Sequence, residues 1–249
     1  MTSMAERTQL SVQRMAQTLA DQFPILLQAA AGTGRRALAE FIALCEEVLS
    51  CVDSPTRTTP DSLAQFIGAR DADVMNHDET TRAIMGTESL GTLRRQADNA
   101  SSQAAVALAR PNLPPAVSTS NGPVHLPDLL RSLTVEAALL ADHCGTTLDR
   151  AGTAQCLRAV ASVLGERFPG HTIEVRVPPF AAVQLGSLTA GPVHHRGTPP
   201  NVVETDTATF WALAIGTLSW TQAREAHRLR VSGVHAPDVA QMLPIVRRR

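Results

Sequence analysis

The stretch His171-Thr-Ile-Glu-Val-Arg-Val-Pro-Pro-Phe180, taken with Asn201-Val-Val-Glu-Thr-Asp206 and Phe210-Trp-Ala-Leu-Ala-Ile-Gly-Thr-Leu-Ser-Trp220, decides the fold of this chain. Ile173, Val175 and Val177 alternate with polar residues, which predicts a strand with one buried face. Pro178-Pro179 ends it, because proline cannot donate to a ladder. Ala181 to Leu185 reads as a second, mostly apolar strand. Asn201 to Asp206 leads into a short apolar helix, then Gly216-Thr-Leu, a second helix, Arg230-Val-Ser-Gly233, and a last apolar helix ending at Leu243-Pro-Ile. Strands mixed with helices in this order predict an α+β domain.

Upstream the pattern changes to helices. Leu10, Met15, Leu19, Phe23 and Leu26 recur at helical spacing, and Leu38, Phe41, Ile42, Cys45, Val48 and Leu49 form a denser stripe. Two helices are expected over residues 4–50, with Gly32-Thr-Gly34 as the turn between them. Ser54 to Pro60 is a loop, and Asp61 or Ser62 caps a helix running to about Arg70. Residues 71–92 show little periodicity and predict an irregular connection with at most a short helix. Helices follow over 93–108, 128–143 and 153–168. The run from Pro111 to Pro127 contains five prolines and reads as a loop. The expected architecture is an all-α bundle of four or five helices over 1–149, then an α+β domain over 150–249.

Composition removes whole classes of chemistry. All 22 basic residues are arginine and there is no tyrosine. Without lysine there is no Schiff base and no phosphate-loop lysine, and without tyrosine no phenolic acid or base. A net charge of −1 argues against a nucleic-acid partner. Cys45, Cys51, Cys144 and Cys156 are scattered, with no C-x-x-C pair, which fits a reducing compartment and neither a zinc knuckle nor a redox dithiol. The N-terminus has no signal-peptide pattern and no apolar run reaches bilayer length, so a cytoplasmic location is expected. The sequence leaves open whether the chain is a homodimer.

The C-terminal stretch resembles the sterol carrier protein type 2 family, and more closely its bacterial, mainly actinobacterial, sterol carrier version. The resemblance runs over about 75 residues and includes the match of His194 through Asp206 to a His-x-Arg-Gly-Thr-Pro-Pro-Asn-Val-Val-Glu-Thr-Asp segment. It implies a twisted, mainly antiparallel sheet with flanking helices that wall an apolar tunnel. The same apolar side chains can instead fill an ordinary core. The family pattern usually has Ser-Gly before the final strand, where this chain has Ala226-His227, so a different turn is expected there.

A helical bundle ahead of such a domain resembles the mycothiol-dependent maleylpyruvate isomerase family, whose bundle is DinB-like. The metal-bearing members have a Glu-x-x-x-His pair in the last bundle helix and a histidine in an early Trp-Thr-Val-x-Asp-Leu-x-x-His segment. Here Glu136 matches the glutamate, Leu140 stands in the histidine slot, and the early segment is missing. The bundle therefore reads as a degenerate relative, with Glu136, His143 and His77 as the remaining metal candidates.

These readings give an expected carrier-like function, binding an acyl or isoprenoid molecule in the C-terminal domain without catalytic residues or a cofactor. His194 and Arg196 are head-group candidates. Asn201, Glu204, Phe210, Trp211, Leu218 and Trp220 complete the candidate ligand site. One alternative is a metal- and mycothiol-dependent isomerase or transferase, which requires zinc or a similar ion and mycothiol. Another is a non-catalytic interaction scaffold.

Overall fold

The computed structural model describes residues 4–188 and 201–247. The chain divides into two compact units, Met1–Cys156 and Leu157–Arg249. The division falls inside a helix, α8 (Arg150–Arg167), whereas the sequence places the boundary just before that helix.

The first unit is built on α1 (Met4–Ala20), α2 (Phe23–Thr33) and α3 (Arg35–Val52). Residues 4–50 thus form three helices instead of the expected two. Pro24, in the first turn of α2, supplies the reason. Inside a continuous helix its ring would clash with the carbonyl of Ala20 and its missing N–H would break the ladder. At the start of a helix both costs vanish. Gly34 separates α2 from α3 at φ 142°, a conformation that side chains other than glycine rarely adopt. Leu38, Phe41, Ile42, Cys45 and Val48 of α3 are buried as their spacing implies, and the Phe41 ring meets Phe23 edge-on at 6.0 Å.

The helix α4 (Leu63–Ala72) starts with a capping box, in which Ser62 accepts from the Gln65 N–H and the Gln65 side chain accepts from the Ser62 N–H. A 12-residue helix, α5 (Val74–Met85), replaces the irregular connection expected there. Only Thr81 of α5 is buried, so the helix has no apolar stripe to read. Its C-terminal end is held by Arg35, whose guanidinium donates to the carbonyls of Met85 at 3.0 Å and Gly86 at 2.8 Å. After it, α6 (Leu90–Leu108) lays Leu93, Ala97, Ala104 and Ala107 along α3.

The proline-rich run is not a plain loop. It contains the antiparallel hairpin β1 (Ala116–Thr119) and β2 (Gly122–His125). The preceding loop extends the ladder on the outer sides of both strands. Thr56 donates to Ala116 and Ser118 to Ser54 on one side, and Asp61 donates to Pro123 on the other. Ser118 thus turns its N–H away from β2, and Pro123 opposite it needs no donor towards β1. Behind the hairpin, α7 (Leu126–His143) buries Leu129, Leu130, Leu133, Ala137 and Leu140. It ends in a Schellman motif, with Gly145 at φ 67° donating to Asp142 and Thr146 donating to Ala141.

The second unit is an α+β domain on a four-stranded mixed sheet of order β4-β3-β5-β6. Its strands are β3 (Ile173–Val177), β4 (Ala181–Leu185), β5 (Asn201–Thr205) and β6 (Leu229–Ser232). The β3–β4 and β5–β6 pairs are antiparallel and the central β3–β5 pair is parallel. Ile173, Val175 and Val177 face the interior as their alternation implies. The C-terminal part of α8 lies close to β4, since a Cβ on Gly165 would come within 2.8 Å of Val183. Between β5 and β6 run α9 (Thr207–Ala214) and α10 (Trp220–Glu225). The last apolar segment is a 3-10 helix, Ala236–Gln241.

Candidate functional site

The helices α9 and α10 place the aromatic content of the second unit. Asp206 caps α9 by accepting from the Thr209 N–H at 2.9 Å and the Thr209 hydroxyl at 2.6 Å. Burial pulls the Asp206 carboxyl upward, but these hydrogen bonds outweigh it and hold the group below its ordinary range. Ser219 and Gln222 form a capping box on α10. Phe210 and Leu213 of α9 are thereby buried, at 3% exposure each, and Trp211 is half-buried.

Leu213, Ala223 of α10 and Leu229 of β6 form a small apolar cluster, and Leu218, Trp220, Val231 and Leu243 pack on it while remaining partly exposed. This half-open apolar surface brings together Leu218 and Trp220, two of the candidate residues read from the sequence. Glu204 sits elsewhere on β5, paired across the strands with Arg230 at 3.5 Å. Asn201 is buried at the start of β5. Its side chain donates to the Thr172 carbonyl at 2.8 Å and accepts from the His235 N–H at 2.9 Å, which fastens the strand ends. His194 and Arg196 lie outside the described residues.

The turn before β6 carries Ala226-His227 at the end of α10. His227 is the one non-glycine residue with positive φ, 55°, among the described residues. His227 donates to Arg224 and Arg228 donates to Ala223, a Schellman closure of α10 in which histidine holds the left-handed position.

In the first unit the metal candidates are not assembled into a site. Glu136 accepts from the Arg70 Nε at 3.4 Å. His143 shares a hydrogen bond of 2.8 Å with Glu40, which also pairs with Arg36. His77 lies on α5. Among the described residues, no group of three or more His, Cys, Asp or Glu is arranged to hold a metal ion.

Arg70 is the residue that sequence reasoning missed. Its side chain is 6% exposed and joins Glu47 of α3 through two nitrogens, one at 3.0 Å, and Glu136 of α7 through Nε. The guanidinium also lies 5.8 Å from the centre of the Phe66 ring. Burial alone would lower its pKa, but the fields and hydrogen bonds of Glu47 and Glu136 raise it above the ordinary guanidinium value. The signal was present: Leu63, Phe66, Ile67 and Arg70 share the i, i+3, i+4, i+7 stripe of α4, so Arg70 points where an apolar residue is expected.

The thiols are quiet. Burial pushes the Cys51 thiol up to about 12 and raises Cys45 and Cys156 further. Cys144 is half-buried and its pKa is also raised, by burial and then by the Glu40 charge, against a lowering hydrogen bond from Thr33.

Comparison with known proteins finds a family similar to the C-terminal part of the chain. Residues 149–245 match the family described as the bacterial SCP ortholog. The match covers α8, the whole described sheet, α9, α10 and the 3-10 helix, and it leaves the helices α1 to α7 outside. The half-open apolar cluster thus lies within the matched segment. A solved structure of a point mutant of the mycothiol-dependent maleylpyruvate isomerase is similar at 14% identity, covering 92% of this chain and 94% of that one, with a TM-score of 0.39. A likeness of that degree carries no argument. No curated protein matches the chain. No helix among the described residues is long and apolar enough to cross a membrane.

Proposed function

We propose that the second unit is a carrier domain for an apolar small molecule, an acyl chain or an isoprenoid. The observation that carries this reading is the half-open apolar cluster of Leu218, Trp220, Val231 and Leu243, set inside the segment that matches the bacterial SCP ortholog family. Apolar surface left in contact with water costs roughly 25 cal/mol per Å², so a ligand chain that covers these side chains gains binding energy from contacts the protein itself leaves open. The domain supplies shape and an apolar wall. Among the candidate polar residues, Asn201 is spent on holding strand ends and Glu204 on Arg230.

The test is native mass spectrometry of the full chain purified from a bacterial host. An added mass of a few hundred daltons that disappears on denaturation supports the carrier, and its fragmentation identifies the ligand class. Leu218→Asp is expected to abolish the adduct while the protein remains folded by circular dichroism. A bare polypeptide that also fails to bind an added fluorescent fatty acid overturns the reading. A zinc-sized increment would instead support the metal-dependent alternative.

A further inference from the structure

The first unit carries a groove that the carrier reading does not use. It has a volume of about 530 Å³ and lies along the seam between α1 and the first turns of α7. On α1, Arg7, Ser11 and Met15 follow one another at i, i+4 and i+8, with Val12 beside them. On α7, Pro127 and Arg131 face the same space, again four residues apart. Val12, Met15 and Pro127 are half-buried and make an aliphatic floor. Arg7 makes no ion pair among the described residues. Arg131 uses one terminal nitrogen on Asp128 at 2.8 Å and keeps its others.

No carboxylate lines this groove. That is against the sign of its surroundings, because the first unit holds twelve arginines and seventeen acidic residues, a net −5. A place where two guanidiniums and the hydroxyl residues Thr8 and Ser11 gather over aliphatic side chains, within an acidic body, is complementary to an anion with a short apolar tail. The volume falls in the range of small-molecule sites, roughly 300 to 1,000 Å³.

We infer that this groove binds a small amphiphilic anion, its phosphate or carboxylate between Arg7 and Arg131 and its chain on Val12, Met15 and Pro127. The site is separate from the carrier cluster and stands or falls without it.

The experiment is a calorimetric titration of the full chain with octyl phosphate, run beside inorganic phosphate and octanol, with hydrogen exchange mapped on the saturated protein. Octyl phosphate is expected to bind saturably, to slow exchange over residues 7–15 and 126–131, and to bind at least about tenfold more tightly than either fragment. The double variant Arg7→Gln/Arg131→Gln is expected to lose about tenfold or more in affinity. Val12→Asp is expected to lose the groove protection as well. Absence of saturable binding, protection confined to residues of the second unit, or unchanged affinity in the double variant would each overturn the proposal.

Discussion

At the scale of single residues, Arg70 shows how one misplaced charge organises three helices. A guanidinium taken out of water is costly unless its donors are met, and here Glu47 and Glu136 meet them. Arg70→Ala leaves two acidic groups facing each other in a largely buried place. It is expected to cost about 3–5 kcal/mol, measured by denaturant unfolding, and Arg70→Met about 1 kcal/mol less, because its side chain refills part of the space on Phe66 while the same two carboxylates stay unpaired. Equal losses in the two variants would mean that the lost charge rather than packing sets the cost. His227 is the opposite case, a residue whose replacement should help. A side chain in the left-handed region costs roughly 1–2 kcal/mol, of which glycine returns about half in chain entropy. His227→Gly is therefore expected to raise stability by about 0.5–1 kcal/mol, read as a higher Tm.

At the scale of elements, stability concentrates where caps and close approaches occur. Asp206 starts α9, and Asp206→Ala is expected to cost about 1 kcal/mol at neutral pH. Its folded pKa is depressed, so its stabilisation is present above the ordinary carboxylate value near about pH 4 and is lost as pH falls through the lower folded value. The gap between the native and Asp206→Ala proteins in urea unfolding should accordingly narrow in acid. Gly170 and Gly186 approach so closely at the end of the sheet that a Cβ on Gly170 would stand 2.5 Å from the Gly186 Cα. Gly186→Ala would in turn place a methyl 2.7 Å from the Pro169 carbonyl. It is expected to destabilise the second unit by about 1–3 kcal/mol in thermal unfolding.

The same elements show what a sequence exposes and what it hides. The α3 stripe, the β3 alternation, the cap at Asp61 or Ser62 and the Gly145 turn were all readable, because each depends on residues within a few positions of one another. The hairpin was not, since its strands are only four residues each and complete their ladders with the distant loop around Ser54, Thr56 and Asp61. Nor was α5, which is held by Arg35 and by the ion pairs of Asp78 with Arg36 and Arg82 rather than by a buried face. In the candidate site, the aromatic helices were legible as apolar runs. Which of their side chains stay half-open depends on how α10 turns into β6, and no local pattern encodes that.

At the scale of the whole molecule, the two units differ in more than fold. The first is net −5, whereas the second holds ten arginines and six acidic residues, a net +4, so the overall charge of −1 conceals two opposite halves. The family match, the apolar cluster and the basic excess belong to the second unit. The buried arginine centre and the anion groove belong to the first.

The four cysteines, at 45, 51, 144 and 156, all fall in the first unit, and the two tryptophans, Trp211 and Trp220, both fall in the second, in a chain with no tyrosine. Each half therefore carries its own intrinsic signal: thiol release reports one, indole emission the other, and no dye or engineered probe is needed to separate them. Arg70→Ala should move the midpoint at which thiols become reactive more than the midpoint of the fluorescence change, and the reverse should hold for Gly186→Ala. Indole emission that responds to an added fatty acid while native thiol reactivity stays constant would then locate a bound ligand in one half of the chain from a single cuvette.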